Sequence, residues 1–498
     1  MESLVRDLSR VSVRRHTSYN LIGSLLPVAL SLATVPIYLK LVGPDRYGVL
    51  AIAWLLLGYF GLFDLGLGRA TSFRIAALRD APAQARADTF WAALAVNVSM
   101  GMVGGAALWL AGAVFFTRFF KVDEALRPEI LQALPLLAAS VPIATLTGVL
   151  TGALQGREKF LQTNVVSVTS TSLFQLLPLS IAWLHGPNLV LLLAAALAAR
   201  ALSAVALFHL CNREIINGYP PRIRRGEIPV LLKYGGWVTL TSIFGPMLLM
   251  VDRFLIGAVL GAVAVTVYSV PIQLAQRMAI LPSSLTTALF PRMSAADADR
   301  QNAMGERATY TLVGLLGLPF LGVIFLIEPF LRVWVGHDIG DQAGPLGRLM
   351  LVGFWANGFA LIPFTRLQAS GRPDIVTKIL LIEIPPHLSF LYLGLHHLGL
   401  WGIALALTVR FVADFLLLTW AAGRNFRPLP ILGVNLALLL AAAYVAGLWP
   451  ITDWRWWACG LAFGLATLVI AWRVLPKDIL TELMGRVRRN APGLKRSS

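Results

Sequence analysis

Apolar stretches of roughly twenty residues or more recur along this chain of 498 residues, from Leu21 to Trp472. Short polar or basic turns separate them, which is typical of a protein that crosses a membrane many times. We predict an all-α integral membrane protein with about fourteen transmembrane helices. The expected spans are 19–42, 47–68, 89–116, 129–154, 160–184, 188–210, two within 233–290, 308–331, 346–369, 375–396, 400–421, 431–449 and 456–474.

Two similar series of turns divide these spans into halves. The fourth span closes with Leu154-Gln155-Gly156-Arg157, and the tenth closes with Leu367-Gln368-Ala369-Ser370-Gly371-Arg372. Gly43, followed by Tyr47-Gly48, is matched in the same way by Gly261, followed by Tyr268-Ser269. We therefore predict two pseudo-symmetric six-helix lobes, with two further C-terminal helices outside the repeat.

Basic residues indicate how the chain is oriented. Most of the 42 Lys and Arg fall on the side of the predicted spans that also holds both termini, so we expect both termini in the cytoplasm. The basic tail is expected to rest on anionic membrane lipids. The predicted segments are a cytoplasmic N-terminal segment 1–19, an N-lobe 20–210, a cytoplasmic loop 211–233, a C-lobe 234–421, the two C-terminal helices 431–475 and the tail 476–498.

Composition excludes several classes of protein. The chain is 57% hydrophobic and 13% charged, against about 25% charged residues in a soluble domain. The net charge of +17 lies in short loops and reports topology, so no nucleic-acid partner is expected. The two cysteines fall in different spans without metal-ligand spacing, so we expect no metal site. With no P-loop, dinucleotide fingerprint or sizeable soluble domain, neither an enzyme nor a cofactor is predicted.

Four arginines lie centrally in the predicted spans, and they are Arg200, Arg253, Arg277 and Arg410. A charge that faces lipid is costly, so these side chains should face protein or a water-filled cavity. Their excess over central acids favours an anionic ligand, because guanidinium groups match phosphate well. We predict that they form a cationic substrate-binding cavity, and that Arg200, Arg277 and Arg410 line one space between the lobes.

Acidic residues in or near the spans are candidates for ion coupling or for pairing with the arginines. They are Asp64, Asp252, Glu383 and Asp414. Asp414 follows Arg410 by one helical turn and is its expected partner. Asp252 and Arg253 are adjacent, and adjacent helical residues do not face each other, so different neighbours are expected for each.

The segment around Glu383 combines a carboxyl group with two prolines. We expect the helix to break at Pro385-Pro386, and a carboxylate beside such a break could carry a coupling proton. His387 shows no metal-ligand geometry and is expected at the membrane interface or on the outer surface.

The order of several short motifs resembles one family of membrane proteins. The motifs are Pro36-Ile37-Tyr38-Leu39 before Gly43, Tyr47-Gly48, Asp64-Leu65-Gly66-Leu67, Leu154-Gln155-Gly156-Arg157, Asp252-Arg253, and Ile256-Gly257 with Gly261 and Tyr268. Together they resemble the polysaccharide branch, which includes the O-antigen flippases, of the multidrug, oligosaccharidyl-lipid and polysaccharide exporter superfamily. The resemblance extends over residues 15–425.

This resemblance implies a function. A flippase would move a polyprenyl-diphosphate-linked oligosaccharide from the cytoplasmic to the outer leaflet of a bacterial plasma (inner) membrane by alternating access. The product would supply O-antigen, capsule or exopolysaccharide. Besides the lipid-linked substrate and membrane lipids, candidate partners are a coupling proton or sodium ion and a polysaccharide polymerase.

Three other functions compete with this interpretation. A peptidoglycan lipid-precursor flippase would need nearly the same physical features to move its lipid-linked substrate. A cation-coupled multidrug antiporter of the same superfamily would be expected to show central acids, where this chain has central arginines. A membrane glycosyltransferase or polymerase would need carboxylates or a nucleotide-sugar domain at the membrane face.

Overall fold

The structure is a computed structural model that describes residues 30, 32–55, 67–78, 81–222, 226, 248, 250–294, 296–423 and 428–476. Every regular element in these ranges is helical. In chain order the helices are 32–55 (α1), Leu67–Ala77 (α2), Ala83–Val114 (α3), Arg127–Gly156 (α4), Phe160–His185 (α5), Leu189–Cys211 (α6), 250–259 (α7), Ala262–Arg277 (α8), Ile280–Ser294 (α9), Ala298–Val335 (α10), His337–Ala369 (α11), Pro373–Leu398 (α12), Leu400–Ala422 (α13), Leu429–Val445 (α14) and Trp454–Val474 (α15).

From α3 onwards the helices lie at the predicted spans, whereas α1 contains the turn predicted at Gly43, where φ is +79°. Within the described ranges, nine are long and apolar enough to cross a membrane, and α14 is a shorter apolar helix. A turn of π-helix extends α3 over Phe115–Phe119, and another follows α6 over Asn212–Ile216. The prediction of an all-α, multi-pass membrane protein is therefore confirmed.

Prolines act differently in two of the helices. The predicted eighth span is split into α8 and α9 by a turn at Met278 and Ala279. Pro282 explains the turn, because a proline lacks the N–H that would bond the carbonyl four residues earlier and its ring clashes with that carbonyl. In contrast, α12 is continuous through Pro385-Pro386, so the break predicted there is wrong. Membrane helices tolerate proline where other donors satisfy the freed backbone groups.

The chain divides into two compact units, Met1–Thr266 and Val267–Ser498. In the first unit, α4 packs against α2, α3 and α6. Small residues allow this packing: a Cβ atom on Gly152 would lie only 2.0 Å from the carbonyl oxygen of Gly68. Close backbone approach is a main source of helix association in lipid, where burial of apolar surface gives little driving force. The predicted two-lobe division with its loop at 211–233 stays a prediction.

The end of α7 packs within the first unit. The Lys121 N–H donates to the Gly257 carbonyl over 3.1 Å, and the Phe120 ring occupies the place that a side chain on Gly257 would need. At the start of α8, the Thr266 hydroxyl donates to the Pro44 carbonyl over 2.6 Å.

Helix α11 is the centre of the second unit. It packs against α9, α10 and α13, while α12 lies mainly against α13. The C-terminal helices α14 and α15 pack on α10. In this contact the Thr467 side chain of α15 lies against Gly317 of α10.

The internal repeat is visible in hydrogen bonds as well as in sequence. At the end of α4, the Lys159 N–H donates to the Leu154 carbonyl (3.0 Å) and the Glu158 N–H donates to the Gln155 carbonyl (2.8 Å). At the end of α11, Arg372 bonds Leu367 (2.9 Å) and Gly371 bonds Gln368 (3.1 Å) in the same way. Both ends are Schellman caps, which require a left-handed residue: φ is +61° at Glu158 and +71° at Gly371.

Candidate functional site

Three charged side chains of the second unit meet between α12 and α13. The Nε atom of Arg410 lies 3.7 Å from Oε2 of Glu383, and both side chains are less than one-tenth exposed. Asp414 also interacts electrostatically with both Glu383 and Arg410. The sequence predicted Asp414 as the partner of Arg410, but the pairing of Arg410 with Glu383 joins two helices and has no local signal in the sequence.

A small cavity of about 180 Å³ opens onto this group of residues. Its lining is apolar except for Glu383, His387 and Arg410. His387 is buried at 5% exposure, so its predicted place at the interface or outer surface is wrong. The reason is that His387 lies one helical turn after Glu383, on the face of α12 that packs against α13. Its Nδ1 atom has no hydrogen-bond partner among the described groups.

The charge balance of this cluster suits uptake of one cation. Two ionised carboxylates and one guanidinium would leave one negative charge in a buried place, which is unfavourable until a proton or another cation neutralises it. Among the described residues no group of three His, Cys, Asp or Glu side chains could hold a metal ion.

The first unit has a buried charge pair on α7. Arg253 Nη1 lies 3.8 Å from Asp252 Oδ1, and these side chains are 4% and 3% exposed. The two residues were expected to serve different neighbours, and that expectation stays a prediction. Asp64, the remaining acidic candidate, lies outside the described residues.

Arg200 lies on α6, half-buried, with its guanidinium carbon 4.8 Å from the centroid of the Phe174 ring on α5. Such stacking is a cation–π contact, which stabilises a cation removed from water. The side chain is thus held on an aromatic surface inside the first unit.

Arg277 is the last residue of α8, immediately before the turn at Met278 and Ala279, and its side chain is exposed. Sixteen residues of α8 end at Arg277, and the fifteen residues of α9 follow, so it lies near the middle of the eighth span. It is not among the residues that line the cavity beside Arg410. The cavity predicted to be shared by Arg200, Arg277 and Arg410 stays a prediction.

The sequence analysis did not predict two further ionic networks. Glu129 accepts hydrogen bonds from Arg46 Nε (3.3 Å) and from the Leu189 N–H at the start of α6. Glu328 pairs with Arg332 at 2.7 Å and with Arg348. The i,i+4 spacing of Glu328 and Arg332 was an available signal, whereas the contacts of Arg348 and Glu129 join residues distant in sequence.

Comparison with known proteins identifies the family. Residues 39–339 match the family described as polysaccharide biosynthesis protein. The chain belongs to this family. The chain is 28% identical over 412 residues to a Shigella flexneri protein that bears the name of an O-antigen transporter; the alignment covers 82% of the chain and 97% of the relative.

Solved structures show the same fold in transporters. The lipid II flippase MurJ in an inward closed conformation aligns with a TM-score of 0.71 at 16% identity, covering 92% of this chain and 99% of that chain. An inward-facing multidrug resistance MATE transporter of the MOP superfamily aligns with a TM-score of 0.69 at 14% identity, covering 84% and 99%. The chain is therefore a multi-pass membrane protein with a flippase-type transporter fold, and its family membership confirms the resemblance drawn from the motifs.

Proposed function

We propose that the protein moves a polyprenyl-diphosphate-linked oligosaccharide from the cytoplasmic to the outer leaflet of a bacterial inner membrane. Movement occurs by alternating access and supplies the assembly of O-antigen, capsule or exopolysaccharide, with a polysaccharide polymerase as the next consumer. Family membership supports the pathway, and the fold supports the transport step. Transfer of a diphosphate and its sugars through hydrocarbon without a protein would remove their hydration at large cost.

The single observation that carries this proposal is the position of Arg277. An exposed arginine at a helix break in the middle of a span is expected to face water or ligand, because facing lipid would be costly. Broken helices mark substrate sites in transporters, since the break leaves backbone groups that can bind a ligand. A guanidinium also matches the diphosphate by two parallel hydrogen bonds.

We propose further that transport is coupled to protons through Glu383 and Asp414. One proton neutralises the cluster that these carboxyls form with Arg410. A sodium ion fits less well, since the guanidinium 3.7 Å from Glu383 would repel it. His387 and Arg410 are the other charged or titratable groups that line the adjoining cavity.

Complementation of a strain that lacks its own flippase tests the proposal. Arg277→Ala removes a charge-assisted hydrogen bond of about 1.5–3 kcal/mol, so we expect export of surface polysaccharide to fall by roughly tenfold or more. Arg277→Lys should retain part of the export, because a point charge still attracts phosphate. The measurements are surface polysaccharide and the amount of protein in the membrane.

Arg300→Ala is the matched control, since that side chain is 80% exposed near the start of α10. It should export normally. Normal export by Arg277→Ala at normal abundance would contradict the proposal. Supplying the peptidoglycan lipid precursor as a competing cargo distinguishes the proposed function from the alternative. A peptidoglycan-precursor flippase would move that lipid at least as well as it moves the polysaccharide lipid.

A further inference from the structure

A second cavity of the second unit is lined by hydroxyl groups. It has a volume of about 350 Å³ and lies between α9 and α11. We call it the hydroxyl cleft. Its polar lining consists of Ser283, Thr286 and Thr287 on α9, with Thr365 and Gln368 on α11. Because these small polar side chains lie within membrane-spanning helices, a polar ligand or water is expected on that surface.

The hydroxyl groups in this cleft already donate hydrogen bonds to backbone carbonyls. The Thr287 hydroxyl donates to the Ser283 carbonyl (2.8 Å), and the Thr286 hydroxyl donates to the Pro282 carbonyl (3.1 Å). Ser283 and Thr365 likewise donate to backbone carbonyls of their own helices. Each oxygen therefore has only its lone pairs left for a ligand, so the cleft presents hydrogen-bond acceptors.

The remaining lining groups complement those acceptors. The side-chain amide of Gln368, which is exposed, offers two donors and an acceptor. Phe290 and Phe364 add aromatic surface to the same cleft. A sugar carries hydroxyl donors around its edge and C–H groups on its faces, so it matches both parts of this lining.

Threonines that bond their own helix also occur on lipid-facing surfaces, so the hydroxyls by themselves do not decide the question. Gln368, at the end of the tenth span, adds two donors and an acceptor to the same cleft. The cleft also contrasts with the larger apolar groove around Phe115 and Phe254, in which no hydroxyl or amide takes part. A polar occupant therefore fits the hydroxyl cleft better than a lipid tail does.

The walls of the cleft are held in place at both ends. At one end the side-chain amide of Gln301, on α10, donates to the Met293 carbonyl over 2.9 Å and accepts from the Ser370 hydroxyl over 2.7 Å. It thereby joins the ends of α9 and α11. At the other end α9 and α11 touch, since a Cβ atom on Gly358 would lie 3.1 Å from Pro282. A cleft with fixed walls is preorganised for binding.

The cleft follows Arg277 along the same span. Ser283 and Thr287 are six and ten residues later, beyond the turn at Met278 and Ala279. A diphosphate held at Arg277 would therefore have its glycan further along the same span. The order of the two sites thus matches the order of phosphate and sugar in the lipid.

We propose that the hydroxyl cleft is a glycan-binding subsite that holds the sugars nearest the diphosphate and selects among lipid-linked glycans. The inference rests on the proposed function, since it assigns the sugar part of the same substrate. Thr287 and Gln368 are the residues that contribute most, because both side chains are exposed in the cleft.

Binding to the purified full-length protein tests the inference with two probes. One is a synthetic polyprenyl diphosphate without sugar, and the other is the same lipid carrying a trisaccharide. The wild type should bind the trisaccharide lipid more tightly than the bare lipid. Thr287→Val and Gln368→Leu should each weaken binding of the trisaccharide lipid by roughly three- to tenfold and leave binding of the bare lipid unchanged.

Two controls separate the possible failures. Thr377→Val removes a hydroxyl with the same backbone bond outside the cleft and should bind both lipids as the wild type does. Arg277→Ala should weaken the binding of both lipids alike.

The outcomes distinguish the subsite from the proposed function. If the wild type binds both lipids equally and Arg277→Ala loses both, the glycan subsite is overturned and the proposed function stands. Binding of neither lipid by correctly folded wild type would overturn both, and cleft variants that behave like Thr377→Val would overturn the subsite.

Discussion

Replacement of Arg410 by methionine should destabilise the second unit strongly. At 3.7 Å from the Glu383 carboxylate, a unit charge contributes about 4.5 kcal/mol of attraction at an effective dielectric constant of about 20, much of it offset by lost hydration. Arg410→Met removes the attraction and leaves two carboxyls facing each other in a buried site. We expect a loss of about 3–5 kcal/mol in the free energy of unfolding, as for other broken buried pairs.

An exposed pair at the start of α12 provides the matched control. Arg372 lies 3.3 Å from Asp374, which is closer than Arg410 lies to Glu383, but these side chains are 59% and 42% exposed. Arg372→Met should cost far less than Arg410→Met, since water screens the pair. If distance alone set the energy, the order of the two effects would be reversed.

The assay is unfolding of the purified protein in mixed detergent micelles, followed by circular dichroism. Combining Arg410→Met with Glu383→Gln should recover most of the lost stability, because the second change removes the uncompensated charge. The reasoning is refuted if Arg410→Met costs no more than Arg372→Met, or if the second substitution adds to the loss.

The remaining predictions concern coupling and packing. Glu383→Gln should make transport in proteoliposomes insensitive to an imposed pH gradient, whereas Asp299→Asn, an exposed acid on α10, should stay sensitive; equal sensitivity would exclude Glu383 as the proton carrier. Gly152→Ala should cost about 1–3 kcal/mol or more, since its Cβ would lie 2.0 Å from the Gly68 carbonyl oxygen. Gly322→Ala, in open space on α10, should instead be neutral or stabilising by up to ~1 kcal/mol, as thermal unfolding will show.

Hydropathy was sufficient to predict the helices, because a membrane span must be apolar over its whole length. The repeated turns were also predictable, since Gly43 and Gly261 stand where the backbone needs φ of +79° and +90°. Arg410 and Asp414 share a helical face, so that proximity could be inferred from spacing.

Contacts between helices could not be predicted from the sequence, because they depend on how each helix is rotated about its axis. Glu383 meets Arg410, and His387 turns inward, for that reason. The break before α9 had a local cause in Pro282, but α12 shows that proline by itself does not decide whether a membrane helix breaks. The hydroxyl cleft likewise appears only when α9 is placed beside α11.

Reconstituted transport tests the central claim most directly. Purified protein in liposomes would be supplied with a fluorescent polyprenyl diphosphate oligosaccharide, and a probe that reacts only in the outer leaflet would report its movement. We predict that the wild type moves the lipid much faster than liposomes containing Arg277→Ala, and that a pH gradient accelerates the movement. Movement by the wild type no faster than in protein-free liposomes would contradict the account.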